Sequence, residues 1–210
     1  MNIHSHIMEK DLSKRQSEIV HAAIKLIGAG GIQALTIKNL SSEIGVAESA
    51  IYRHFSSKTE VLSTLLDYLA FIVNSQADSV SKLKTAPFEK IKKMIESHLK
   101  LFVDNPPYAV VVLSDGLYKN EKYLQERIIN IMEKMKSTFL KIIDEGKKAD
   151  EIRKDISTDQ IAFIIMGSVR LTITQWSLSG FGFDLGKKGD EIFKTLKILF
   201  QDTKDHSKVF

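Results

Sequence analysis

The chain has 210 residues, no cysteine and a formal net charge of +4. That length holds one large or two small domains with a real core, and the lack of cysteine excludes a disulfide framework and a thiolate metal site. The first residues include His4, His6, Glu9, Lys10 and Asp11 rather than an apolar run, and the longest apolar stretches, such as 161–167, fall short of the ~20 residues of a membrane span, so the expectation is a cytoplasmic protein.

Proline occurs only at 87, 106 and 107, and apolar residues recur three and four apart with almost no alternation, which predicts an all-α chain. The first helix covers about 13–29, with Ile19, Ala23, Leu26 and Ile27 on one stripe, and stops at Gly28, Gly30 and Gly31. A phosphate-cradling loop is the other reading of "GAGG", but it needs a preceding strand and a following Lys-Ser/Thr pair, and neither is present. Thr36 is placed to cap a second, short helix over about 37–44. Gly45 follows, a residue that adopts positive φ at no steric cost. A third short helix runs from about Ala47 to His54, and Ser57 caps a long fourth helix containing Val61, Leu62, Leu65, Leu66, Leu69 and Val73.

Two short helices joined by a tight glycine turn form a helix-turn-helix, whose second helix fits a DNA major groove. Only Val46, Ala50, Ile51 and part of Tyr52 are suited to face inward, leaving Ala47, Glu48, Ser49, Arg53 and His54 outward. Total charge adds little support. Between residues 9 and 60, seven cations (Lys10, Lys14, Arg15, Lys25, Lys38, Arg53, Lys58) face six anions (Glu9, Asp11, Glu18, Glu43, Glu48, Glu60). DNA binding therefore has to rest on where the charges sit.

Further helices are expected over about 87–103, from about 108, and over about 121–148, 158–179 and 187–202. Asn105-Pro106-Pro107 breaks the chain between the fifth and sixth. No catalytic set and no metal or cofactor site is legible, which argues against an enzyme. His98 reads as a partly buried polar residue rather than a ligand, and His4 and His6 are only two residues on an end. The eighth helix, "IAFIIMGSVRLTITQWSL", is apolar nearly all round, so both faces need cover. Gly167 and Ser168 would admit a close helix, and Ile192, Phe193, Leu196, Leu199 and Phe200 form a wide stripe on the ninth. Two such helices from each of two chains would make a four-helix dimer core.

Gly45-Val46, Tyr52-Arg53-His54-Phe55, Lys58 and Leu62, behind a first helix ending in Gly30-Gly31 and a helix opened by Thr36-Ile37, resemble the TetR family of one-component transcriptional repressors. The match covers roughly residues 12–66. The resemblance implies a DNA-binding domain over 12–59, a helical ligand-binding and dimerisation domain over 60–205, and flexible ends at 1–11 and 206–210. It also implies a homodimer on a pseudopalindromic operator, released by a small-molecule effector, with no cofactor. Phosphate roles follow for Thr36, Tyr52, His54 and Lys58, with Lys38 well placed beside them. Glu48, Ser49 and Arg53 are candidate base readers. Many members carry Ser or Thr, bonded to a phosphate, where this chain has Ala47.

The expected ligand is largely apolar, lined by Phe102, Leu113, Tyr118, Met132, Met135, Phe139, Met166 and Trp176, with Arg170 as its polar anchor. The alternative for Arg170 is a structural ion pair with Asp115 or Glu133. The alternative for the whole protein is a DNA-associated protein of the same fold controlled by a protein partner, with no small-molecule inducer.

Overall fold

The computed structural model describes residues 12–114 and 121–202. Among them are nine α-helices: α1 (Lys14–Gly30), α2 (Ile37–Ile44), α3 (Glu48–Tyr52), α4 (Lys58–Ser81), α5 (Pro87–Asp104), α6 (Pro107–Val112), α7 (Lys122–Lys148), α8 (Thr158–Leu178) and α9 (Leu185–Phe200). The expected all-α order is met, with small shifts. The third helix is shorter than expected, because Ala47 is its cap and Arg53 and His54 lie in the following turn. The ninth begins earlier, where Asp184 accepts a hydrogen bond from the Lys187 N–H at 2.9 Å. The expected flexible ends, together with Asp115 and Tyr118, lie outside the described residues.

The chain divides into two compact units, and the divisions fall within α4, at the end of α5 and within α7. The first unit comprises the described residues up to Ile72 together with Asn105–Ile131. α1 opens with a reciprocal cap: the Gln16 N–H donates to Ser13 Oγ at 3.3 Å, and the Ser13 N–H donates to Gln16 Oε1 at 3.0 Å. It closes at Gly31, whose φ of 69° suits glycine and whose N–H donates to Ile27 O at 2.8 Å. The "GAGG" run is thus a helix terminus. Ile19, Val20, Ala23, Ile27, Leu35, Leu40, Ile51 and Phe55 are all buried in this unit. α6 packs against α1. The approach depends on Gly28, where a Cβ would lie 2.7 Å from Pro107 Cγ.

In the second unit α9 packs on α5 and α8, and α8 packs on α5. Its core includes Ile91, Ile95, Leu99, Phe102, Phe139, Ile143, Ile165, Ile173, Trp176 and Phe200. Lys90 is buried and donates to Glu145 at 2.7 Å. The connection before α8 is tied to the end of α9 by the Arg153 N–H, which donates to Phe200 O at 2.9 Å. One expectation is corrected here. α8 is, by length and composition, long and apolar enough to cross a membrane. Its apolar character has a second account: Ile161, Ala162, Ile165, Val169, Ile173 and Trp176 form a face buried within the second unit.

Candidate nucleic-acid interface

The interface is built on three helix starts, and each has a local cause. At α2, Thr36 takes an extended conformation and its Oγ1 accepts the Asn39 N–H at 3.0 Å. The Asn39 side chain in turn donates to Ala34 O at 2.8 Å, fixing the entry of the chain. At the far end, Gly45 has φ 70° and ψ 38°. The Val46 N–H reaches back to Ser41 O at 2.9 Å and the Gly45 N–H to Ser42 O at 3.3 Å. That pair of bonds closes the helix and turns the chain sharply into α3.

α3 begins at Ala47, which is extended and, having no side-chain acceptor, makes no capping bond. Ile51 is fully buried, which pins the helix and leaves Ala47, Glu48, Ser49, Tyr52 and Arg53 exposed, with His54 half-buried. Tyr52 is 53% exposed, so its hydroxyl is free to meet a phosphate. Phe55 is buried immediately after and holds the turn into α4.

α4 starts behind Ser57, whose Oγ accepts the Glu60 N–H at 3.2 Å. Glu60 folds back and accepts from both the Ser56 hydroxyl (2.7 Å) and the Ser56 N–H (2.6 Å). These two bonds hold its carboxyl below the usual carboxylate range. Lys58 is exposed in the first turn of α4, beside the backbone N–H groups that open the helix.

Pairing explains how a nearly neutral segment presents a positive face. Glu43 is paired with Lys25, Glu18 with Arg15 at 2.8 Å, and Glu60 is occupied by Ser56. Among the described residues, Lys14, Lys38, Arg53 and Lys58 stand outside any ion pair. Glu48 is the unpaired acid set against them, on the helix expected to enter the groove. The Lys25–Glu43 pair joins residues 18 positions apart, so nothing in the linear sequence announced it.

The remaining expected residues are less uniformly placed. Phe102, Phe139 and Trp176 are buried in the second unit, where Met135, Met166 and Arg170 are half-buried. Met132 is 41% exposed, and Leu113 belongs to the first unit. Phe193, Leu196 and Phe200, expected to meet a second chain, are buried in their own chain; α9 faces α5 and α8 with this stripe. Leu199 and Gly167 are exposed, and Ile192 and Ser168 half-buried. The exposed large apolar side chains of α8 and α9 are Phe163, Ile164, Leu171, Leu178 and Ile198, together with the Leu199 already expected at the interface.

A glycine-turned pair of short helices, flanked by capped starts and unpaired cations, defines a DNA-binding regulator of the helix-turn-helix class. The chain belongs to the TetR family: residues 19–65 match the model for bacterial regulatory proteins of the tetR family, and residues 67–198 that for the C-terminal region of the YsiA-like protein. A nucleoid occlusion factor, SlmA of Pectobacterium carotovorum, is 26% identical over 68% of this chain and 73% of its own length. The solved fatty acid degradation regulator FadR of Bacillus halodurans superposes with a TM-score of 0.79 at 21% identity, over 90% of this chain and 97% of that one. FadR of Bacillus subtilis, solved in complex with stearoyl-CoA, has a TM-score of 0.74 at 22% identity, over 85% and 96% of the two chains.

Proposed function

We propose that this regulator is a cytoplasmic repressor that binds a pseudopalindromic operator as a homodimer and is released by a largely apolar ligand held in the second unit. The observation that carries the ligand reading is the likeness over most of the chain to a regulator whose solved structure holds stearoyl-CoA. Side chains of the right kind are available: buried Phe102, Phe139 and Trp176, and half-buried Met135 and Met166. The half-buried Arg170 suits an anionic group on a fatty body. The ligand acts only through different affinities for DNA-competent and DNA-incompetent conformations, since equal affinity would shift nothing.

The test is titration of a protein–operator complex with stearoyl-CoA and with stearate, followed by fluorescence anisotropy of the DNA. Release by one of them, reduced at least tenfold in potency by Arg170→Met, is the expected result. If neither binds the protein nor changes its DNA affinity, the fatty-ligand reading is wrong.

The likeness to a nucleoid occlusion factor favours a second reading, in which the same DNA-binding fold answers to a protein partner without an inducer. On that reading operator binding is indifferent to both acyl compounds.

A further inference from the structure

In the second unit α9 packs on α5, and a groove of about 340 Å³ opens between the start of α9 and the C-terminal half of α5. Its floor comes from α5: Ile95 and Leu99 are buried, and Val103, four residues further on, is 47% exposed. α9 leaves room for the groove because it meets α5 there with glycine. At Gly189 a Cβ would lie 2.3 Å from Leu99 Cδ1, so the helices approach with no side chain between them. Gly186, three residues earlier, also lines the groove and likewise puts no side chain into it. None of the side chains assigned to the fatty ligand borders this space.

Four charged side chains line the groove, and their pairing is uneven. Lys100 is held by Asp104 at 2.8 Å, and Glu96 by Lys93 at 2.7 Å and Lys92 at 3.5 Å. Asp184 Oδ1 accepts the Lys187 N–H at 2.9 Å, which fixes that carboxylate without giving it a cation. Asp190 makes no hydrogen bond or ion pair among the described residues. Lys187 and Lys194, three and four positions from Asp190 along α9, do not line the groove. Two carboxylates without a cation therefore stand beside an apolar floor. The volume lies at the small end of the range for organic ligands, whose sites are mostly apolar with a few placed polar groups. An ammonium group gains by attraction to the carboxylates, and a hydrocarbon body gains by covering the floor.

We propose that this groove binds a small organic cation, an ammonium group on a short apolar body, with Asp190 as its charge partner and Leu99 and Val103 as its apolar bed. An anion is disfavoured there. The backbone N–H groups opening α9 would attract one, but the Asp184 carboxylate already occupies that position. The inference is independent of the fatty-ligand reading: the two sets of residues do not overlap, and Arg170 suits the opposite charge.

The experiment uses the full-length protein with isotope-labelled isoleucine, leucine and valine methyls, titrated with three probes of like length: 4-phenylbutylammonium, 4-phenyl-1-butanol and 4-phenylbutyrate. The cation is expected to shift the methyl resonances of Ile95, Leu99 and Val103. It should bind about two- to fivefold more tightly than the alcohol, with the butyrate weakest. Added salt should narrow the difference. Asp190 and Val103 are exposed, so Asp190→Lys and Val103→Lys should both fold, and each should abolish the preference for the cation. Equal affinity of the native protein for cation and alcohol, or a preference that survives either substitution, would overturn the assignment. So would methyl shifts confined to core residues such as Ile165 and Ile173, or no shift at all. Each of these results leaves the fatty-ligand reading standing, because that reading is decided by the acyl compounds at the operator.

Discussion

Lys58 and Glu48 sit ten positions apart in sequence, yet they are expected to fail in different ways when changed. Lys58 is an exposed cation at a helix start, suited to a phosphate. Each phosphate contact contributes about 0.9 to the slope of log affinity against log salt concentration, so Lys58→Ala in both half-sites should lower that slope by about 2 and weaken operator and random DNA alike. Tyr52→Phe should weaken both too, with little change in slope, because it removes a neutral donor. Glu48→Gln or Ser49→Ala should instead leave the slope alone and reorder the preferred sequences, by about 1–3 kcal/mol at the base pair read. Binding measured at several salt concentrations on two sequences separates the classes; an unchanged slope for Lys58→Ala would remove its phosphate role. Ala47 offers a gain. It already has the extended conformation of a capping residue but no acceptor, so Ala47→Ser should stabilise the protein by about 1 kcal/mol and raise its melting temperature. The same hydroxyl, lying at the start of the recognition helix, should tighten DNA binding.

At the scale of elements, the turn between α2 and α3 depends on one backbone conformation. Gly45 sits at φ 70°, where an L side chain costs about 1–2 kcal/mol, so Gly45→Ala should lower the melting temperature by several degrees although no atom lies within 4 Å of the added methyl. The start of α4 is pH-sensitive in a defined sense. Folding depresses the Glu60 carboxyl below its usual 4.5, so its contribution is present above that value and is lost as pH falls through the lower, folded one. Glu60→Gln should therefore cost stability near neutrality, with the difference from the parent vanishing in acid.

Why these elements could be read from sequence, and others not, follows from the range of the forces involved. Thr36, Gly45 and Ser57 act on backbone groups within a few residues, so their patterns mark α2, the turn and α4 directly. The partner of Glu43 lies on another helix and so leaves no local pattern. The stripe of Phe193, Leu196 and Phe200 failed for a related reason. A helix with apolar residues on two faces does not say which face its own chain covers.

For the molecule as a whole, the decisive feature is what the second unit leaves uncovered. On α8, Phe163 is 76% exposed and Leu171 58%; on α9, Ile198 is 78% exposed. Side chains of this size in water lose about 1.5–3 kcal/mol each relative to burial, and adjacent helices carrying several of them need a partner surface. A second copy presenting the same α8 and α9 faces would supply one, with an interface of the obligate class burying on the order of 2,000 Å² or more. The expected species at micromolar concentration is a dimer, twice the chain mass of 23.7 kDa, by light scattering. Two double variants separate interface from core. Leu171→Glu with Ile198→Glu places charges on exposed positions, so it should give a folded monomer with undiminished helical signal and poor operator binding, since one half-site supplies only part of the contact energy. Leu196→Glu with Phe200→Glu places them where the side chains are 4% and 3% exposed within their own chain, so it should unfold the protein instead. A parent protein that scatters as one chain, or a Leu171→Glu/Ile198→Glu variant that stays dimeric with full operator affinity, would move the interface off these two helices.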